Sequence, residues 1–128
     1  MNPLTEEWIA KAEGDFVTAQ RELRAEESPN YDAACFHAQQ CVEKYLKARL
    51  VEAALAFPKS HDLDLLLDRV LPVEPGWENV RDELGALTGL AVEVRYPGCL
   101  ADSEDAQQAI ETARKVRAMA RQSLGLPD

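Results

Sequence analysis

The sequence predicts an all-α protein, a four- to five-helix up-and-down bundle, and three observations predict it. Apolar residues recur at spacings of three and four along successive stretches, the pattern of a helix with one buried face. No segment alternates apolar and polar residues with period two, so no strand is expected. The apolar residues are mostly Ala, Leu and Val, with few aromatics, a composition suited to closely packed helices. A chain of 128 residues can build one core but is short for two, so residues 1–128 read as one domain.

The first helix is expected from about Thr5 to Glu26, with Trp8, Ala12, Phe16, Ala19 and Leu23 inward. Thr5 is the expected N-cap, and Glu6 and Glu7 suit the positive end of the helix dipole. The run EESPNYD ends it, because Pro29 disfavours helix at Ser28 and lacks an amide donor. Asn30 can then cap the next helix.

That second helix is expected from about Tyr31 to Ala56. At 100° per residue, Ala34, Cys35, Ala38, Cys41, Val42, Tyr45 and Leu46 fall on one broad apolar arc. The arc is too wide for one neighbour and predicts a central helix packed on two sides. The remaining arc carries His37, Gln40, Glu43, Lys44 and Lys47, interrupted by Phe36 and Val51. Apolar residues inside a polar stripe suggest that it meets another surface rather than bulk water.

FPKSHD breaks the chain again, with Ser60 the expected N-cap of a short third helix that buries Leu63, Leu66, Leu67 and Val70 and turns Asp64 and Asp68 outward. LPVEPGW ends that helix. A fourth is expected from about Trp77 to Arg95, inward at Trp77, Val80, Leu84, Leu87, Ala91 and Val94. Gly85 and Gly89 lie one turn apart within it; each costs about 1 kcal/mol relative to Ala, and close approach by a neighbouring helix is the expected reason. After the turn at Pro97 and Gly98, with Asp102 or Ser103 as cap, the last helix should run from about Ser103 to Leu124. Its acidic start and basic end both complement the helix dipole.

The formal charge is −9, from 23 acidic and 14 basic side chains, which argues against generic nucleic-acid binding while leaving room for a local basic stripe. No secretory signal precedes the first helix, and no apolar run approaches the roughly 20 residues that span a bilayer. A soluble, cytoplasmic protein without membrane partners is expected. Cys35, Cys41 and Cys99 form no CxxC pair and fit free, mostly buried thiols. His37 and Cys41 are one turn apart, but without a second spaced pair no metal site is assigned, and no cofactor is expected.

Catalytic signatures such as GxSxG, a glycine-rich phosphate loop or HExxH are missing. The carboxylates of Asp64 and Asp68 read as a solvated face. Lys44 and Lys47, with Gln40 and His37, form a candidate anion site, since two ammonium groups a turn apart can straddle a phosphate. The competing reading is a plain Glu43 and Lys47 pair, four residues apart. Arg95 and Tyr96, at the mouth of the Pro97-Gly98 turn, are the next candidates.

The succession of Trp8, Ala12 and Asp15-Phe16, then AQQCVEKYLKARL, then SHDLDLLL, then VEVRYPG before a final amphipathic helix, resembles the HEPN family, the higher eukaryotes and prokaryotes nucleotide-binding domain. The likeness spans about Leu4 to Leu124 and is most specific at Gln39-Gln40, Glu43-Lys44, Lys47-Ala48 and His61-Asp62-Leu63. It implies a helical bundle, usually a homodimer through its long helices. Many members are metal-independent ribonucleases, toxins, or partners of a minimal nucleotidyltransferase. In catalytic members an arginine is followed four to six residues later by a histidine, and the two subunits' copies form one RNA-cleaving site. Here Arg95 matches the arginine, but RYPGCLADSED holds no histidine, and His37 and His61 lie upstream.

Metal-free RNA cleavage needs a group that moves protons near neutral pH, for which imidazole is best suited. An arginine stabilises phosphate charge but shuttles protons poorly. The expectation is therefore a non-catalytic protein, with no catalytic residue assigned, that binds a nucleotide or RNA phosphate through Gln40, Lys44, Lys47, Arg95 and Tyr96. His37 and His61 are further possible contacts. The expected protein partner is a minimal nucleotidyltransferase, as in a toxin-antitoxin pair. The alternatives are a metal-independent ribonuclease with a degenerate site and a purely structural dimeric interaction module.

Overall fold

A computed structural model describes all 128 residues and is helical throughout, without strands. The helices are α1 (Pro3–Arg24), α2 (Tyr31–Glu52), α3 (Leu63–Val70), α4 (Arg81–Glu93) and α5 (Ser103–Ser123). A 3-10 turn, Pro75–Val80, leads into α4. The expected fourth helix from Trp77 is thus two pieces, because Pro75 starts a tight turn that brings Trp77 and Val80 into the core before the α-helix begins.

The caps also differ in part from expectation. Asn2, not Thr5, caps α1: its side chain accepts from the Leu4 amide, and Pro3 occupies the first turn, where no amide partner is required. Thr5 is instead fully buried, and its hydroxyl donates to Glu52 Oε1 at 3.0 Å. Asp62, not Ser60, caps α3 by accepting from Asp64 and Leu65, while the Ser60 hydroxyl accepts from the Asp62 amide one step earlier. Asn30 caps α2, and Asp102 with Asp105 forms a reciprocal capping box on α5.

α2 is the central helix. Its arc of Ala34, Cys35, Ala38, Cys41, Val42, Tyr45 and Leu46 is buried against α1 on one side and α3, α4 and α5 on the other. The core is one cluster that also takes Ala12, Phe16 and Ala19 from α1, Leu63, Leu66 and Leu67 from α3, Leu84 and Leu87 from α4, and Ile110, Ala113 and Val116 from α5. Burial of each Leu, Val or Ile side chain contributes about 1.5–3 kcal/mol.

Contacts at the helix ends set the directions. Thr5 meets Glu52 and Asp15 meets Lys44, so α1 and α2 are antiparallel. The Ala101 amide donates to Asp32 Oδ1 at 2.7 Å, and Ser123 at the far end of α5 bonds Glu74, which also holds Arg49, so α5 runs with α2. Arg81 at the start of α4 binds both Asp64 and Asp68, which are exposed as expected.

No helix of the chain itself makes the close approach expected at Gly85 and Gly89. Both are exposed, and a Cβ added at either would meet nothing within 4 Å. No helix of the protein is long and apolar enough to cross a membrane. Cys35 and Cys41 are buried and Cys99 is exposed, all three as free thiols.

Candidate functional site

The polar stripe of α2 does meet another surface, and that surface is chiefly α1. Asp15 accepts from Lys44 Nζ and lies 2.7 Å from His37 Nδ1. A carboxylate only accepts, so His37 carries its proton on Nδ1 in this pair, and its Nε2 has no partner within the chain. Phe36 stands edge-on to the His37 ring, with centroids 5.2 Å apart.

One turn further along α2, Lys47 Nζ donates to Glu43 Oε2 at 3.1 Å, and both side chains are buried. The Lys47 ammonium also sits 5.3 Å from the centre of the Trp8 ring. Glu43 reaches the other way to His61 Nδ1 at 3.0 Å, although the His61 side chain is 81% exposed. Gln40 donates to Gln39 Oε1, and Gln39 in turn to the His61 carbonyl. No buried side-chain nitrogen or oxygen lacks a partner.

The two ammonium groups of the stripe therefore do not stand open to solvent as a matched clamp. Lys47 is held by Glu43 beneath Trp8, and Lys44 turns to Asp15. The physical reason is that two carboxylates inside a helical interface need cations, and the stripe supplies them.

A second network was not legible as a site in the sequence. Glu13 on α1 accepts from Arg117 Nε and Nη2, at 2.7 and 2.8 Å, and from the Tyr45 hydroxyl. Arg121 approaches both Tyr45 and Glu13, and the guanidiniums of Arg114 and Arg117 cover the Phe16 ring. Burial opposes ionisation of Glu13, but hydrogen bonds from Arg117 and Tyr45 and the nearby guanidiniums outweigh it and hold the carboxyl below its usual value. Burial and the bond to Glu13 push the Tyr45 phenol up. Burial also raises the Cys35 thiol to about 11, with Asp105, Asp32 and Asp102 adding to it.

The available signal for these acids was positional. Asp15 lies three residues after Ala12 and four before Ala19, on the inward side of α1, and Glu13 follows Ala12. An acid at an inward helical position announces a buried cation opposite.

Arg95 and Tyr96 belong elsewhere. They follow α4 in the connection whose Ala101 is tied to Asp32, near the beginning of α2. Lys44 and Lys47 are three to four turns further along that helix, about 18–22 Å from Asp32. Arg95 makes no side-chain hydrogen bond or ion pair within the chain, and Tyr96 is 64% exposed. Val92 and Leu100 are exposed beside them. Neither imidazole joins this group, since His37 is engaged by Asp15 and His61 by Glu43. No three His, Cys, Asp or Glu residues converge as metal ligands.

No match was found among curated proteins or among solved structures. The HEPN domain family profile matches residues 5–123, from the buried Thr5 through the end of α5. With the helical bundle, the central α2 and the match over nearly the whole length, this chain belongs to the HEPN domain family, a nucleotide- and RNA-related group of helical domains.

Proposed function

We propose that this protein is a non-catalytic, homodimeric HEPN module that binds a nucleotide or RNA phosphate and works with a minimal nucleotidyltransferase, as in a toxin-antitoxin pair. The observation that carries the reading is Arg95: a guanidinium with no intramolecular carboxylate in a chain of charge −9, flanked by exposed Val92, Tyr96 and Leu100. An unpaired arginine is a ready phosphate ligand, the phenol ring beside it offers a face for a base, and the apolar rim suits a second subunit. In the stripe, Lys44 and Gln40 are partly exposed and keep unused donor hydrogens that reach toward a ligand, with His37 Nε2 and His61 beside them. Lys47 serves as the buried support of that face rather than its contact. Arg95 has no imidazole beside it to move protons, which favours binding over cleavage.

The test is calorimetric titration of the purified protein with ATP, GTP and a short RNA, alongside RNA incubation without metal. Binding that is lost in Arg95→Ala, with the RNA left intact, supports the reading. Metal-free cleavage lost in the same variant replaces it with a ribonuclease. No heat and no cleavage, with a dimer in sedimentation, leaves a structural interaction module. Co-expression with a nucleotidyltransferase encoded beside the gene tests the partner, and failure to co-purify removes that part.

A further inference from the structure

We propose that the groove between α4 and α5 is a docking site for a basic amphipathic helix of another polypeptide. The inference goes beyond the phosphate reading and does not depend on it, because the groove has the opposite charge preference.

The groove measures about 430 Å³ and lies between α4 and α5. Its apolar lining is Ala86, Leu87 and Leu90 from α4 and Ala109 from α5. Ala86 is exposed and Leu90 half-buried, so the floor is only partly covered by the chain itself. The α4 wall stays low because the neighbouring outward positions are Gly85 and Gly89, with open space above both.

Charge selects the occupant. Asp82, Glu83 and Asp105 line the groove and no cation does. Only Glu83 has a cationic partner, Lys115 at 2.9 Å; Asp82 and Asp105 pair with none. An RNA backbone or an anionic lipid surface is repelled by such a rim, whereas lysines and arginines flanking an apolar stripe are attracted. The shape selects a helix. Positions 86 and 90 of α4 and 105, 109 and 112 of α5 form two ridges with a channel between them, the geometry that receives a third helix. The protein has no strand edge, so β-strand addition is not available. Val92 is 160° around α4 from Leu90, so a helix in the groove leaves the Arg95 side free.

The probe is a synthetic peptide of about five helical turns, leucine and alanine on one face and lysine on the other, with a glutamate version as control. It is titrated into isotope-labelled full-length protein and followed by amide shifts. The expected result is saturable shifts confined to α4 and α5 with the lysine peptide and none with the glutamate peptide. Ala86→Phe, which fills the groove from an exposed position, should weaken binding about tenfold or more. Asp82→Lys should weaken it about three- to tenfold. Unchanged helical circular dichroism shows that both variants remain folded. Shifts centred on α1 or α2, equal binding of the glutamate peptide, absence of binding, or indifference to Ala86→Phe would each overturn the proposal.

Discussion

Lys47 Nζ and Glu43 Oε2 form an ion pair 3.1 Å apart, with side chains only 7% and 3% exposed, on a helix face that also carries the partly exposed Gln40 and Lys44. At the surface such an i, i+4 pair contributes a few tenths of a kcal/mol. Buried, its breaking leaves the Glu43 carboxylate with only the exposed His61 ring as a partner. Lys47→Ala is expected to destabilise the protein by about 3–5 kcal/mol in urea unfolding. Lys47→Met with Glu43→Leu should recover much of that loss, since a buried pair is often replaceable by apolar residues. A mild effect of Lys47→Ala, with intact structure, would contradict the buried pair.

Glu13 makes the bundle sensitive to acid. Its folded-state carboxyl lies below the ordinary value of 4.5, so its contribution is fully present above about pH 4.5 and is lost as pH falls through the lower folded value. Glu13→Gln should cost about 1–2 kcal/mol at pH 7, an allowance that includes solvent screening of this partly exposed group. The gap between wild type and variant should narrow as pH falls below about 4.5 and the carboxylate takes up its proton. A gap independent of pH across denaturation series would exclude this role.

The three thiols should separate by reactivity. Burial raises the Cys35 thiol to about 11 and pushes Cys41 higher still, whereas Cys99 is exposed. Iodoacetamide at pH 7.5 should add a single group to native protein, at Cys99, and three after denaturation, by mass spectrometry. Native labelling of Cys41 would indicate that the core opens.

Gly85 and Gly89 are helical, exposed and unobstructed. Gly85→Ala and Gly89→Ala should each stabilise the isolated protein by about 0.5–1 kcal/mol, read as a higher urea midpoint at unchanged slope. Destabilisation by either alanine would mean that the glycines are already covered in the free protein.

The caps give a paired comparison on α3. Asp62→Ala should cost about 1 kcal/mol in thermal or urea unfolding, and Ser60→Ala less, because Asp62 accepts two helical amides whereas Ser60 accepts one outside the helix. The reverse ranking would restore Ser60 as the cap.

Periodicity and turn residues by themselves determined the all-α class, the order of the helices, the centrality of α2 through its wide apolar arc, and the cap at Asn30, while leaving Asp102 and Ser103 as alternatives for the α5 cap that the structure resolves to Asp102. These depend on spacing and local hydrogen bonding, which are written along the chain. Only the tertiary structure decided that Thr5 is core rather than cap, that Pro75–Val80 is a separate turn, and that Gly85 and Gly89 face open space. It also decided the fate of the charges. Lys44 and Lys47 look alike on a helical projection, yet one meets Asp15 and the other is buried on Glu43 beneath Trp8, while Arg95 meets no carboxylate. A side chain's charge is local, but its partner comes from a distant helix, and only the packing of α1 against α2 brings the two within reach.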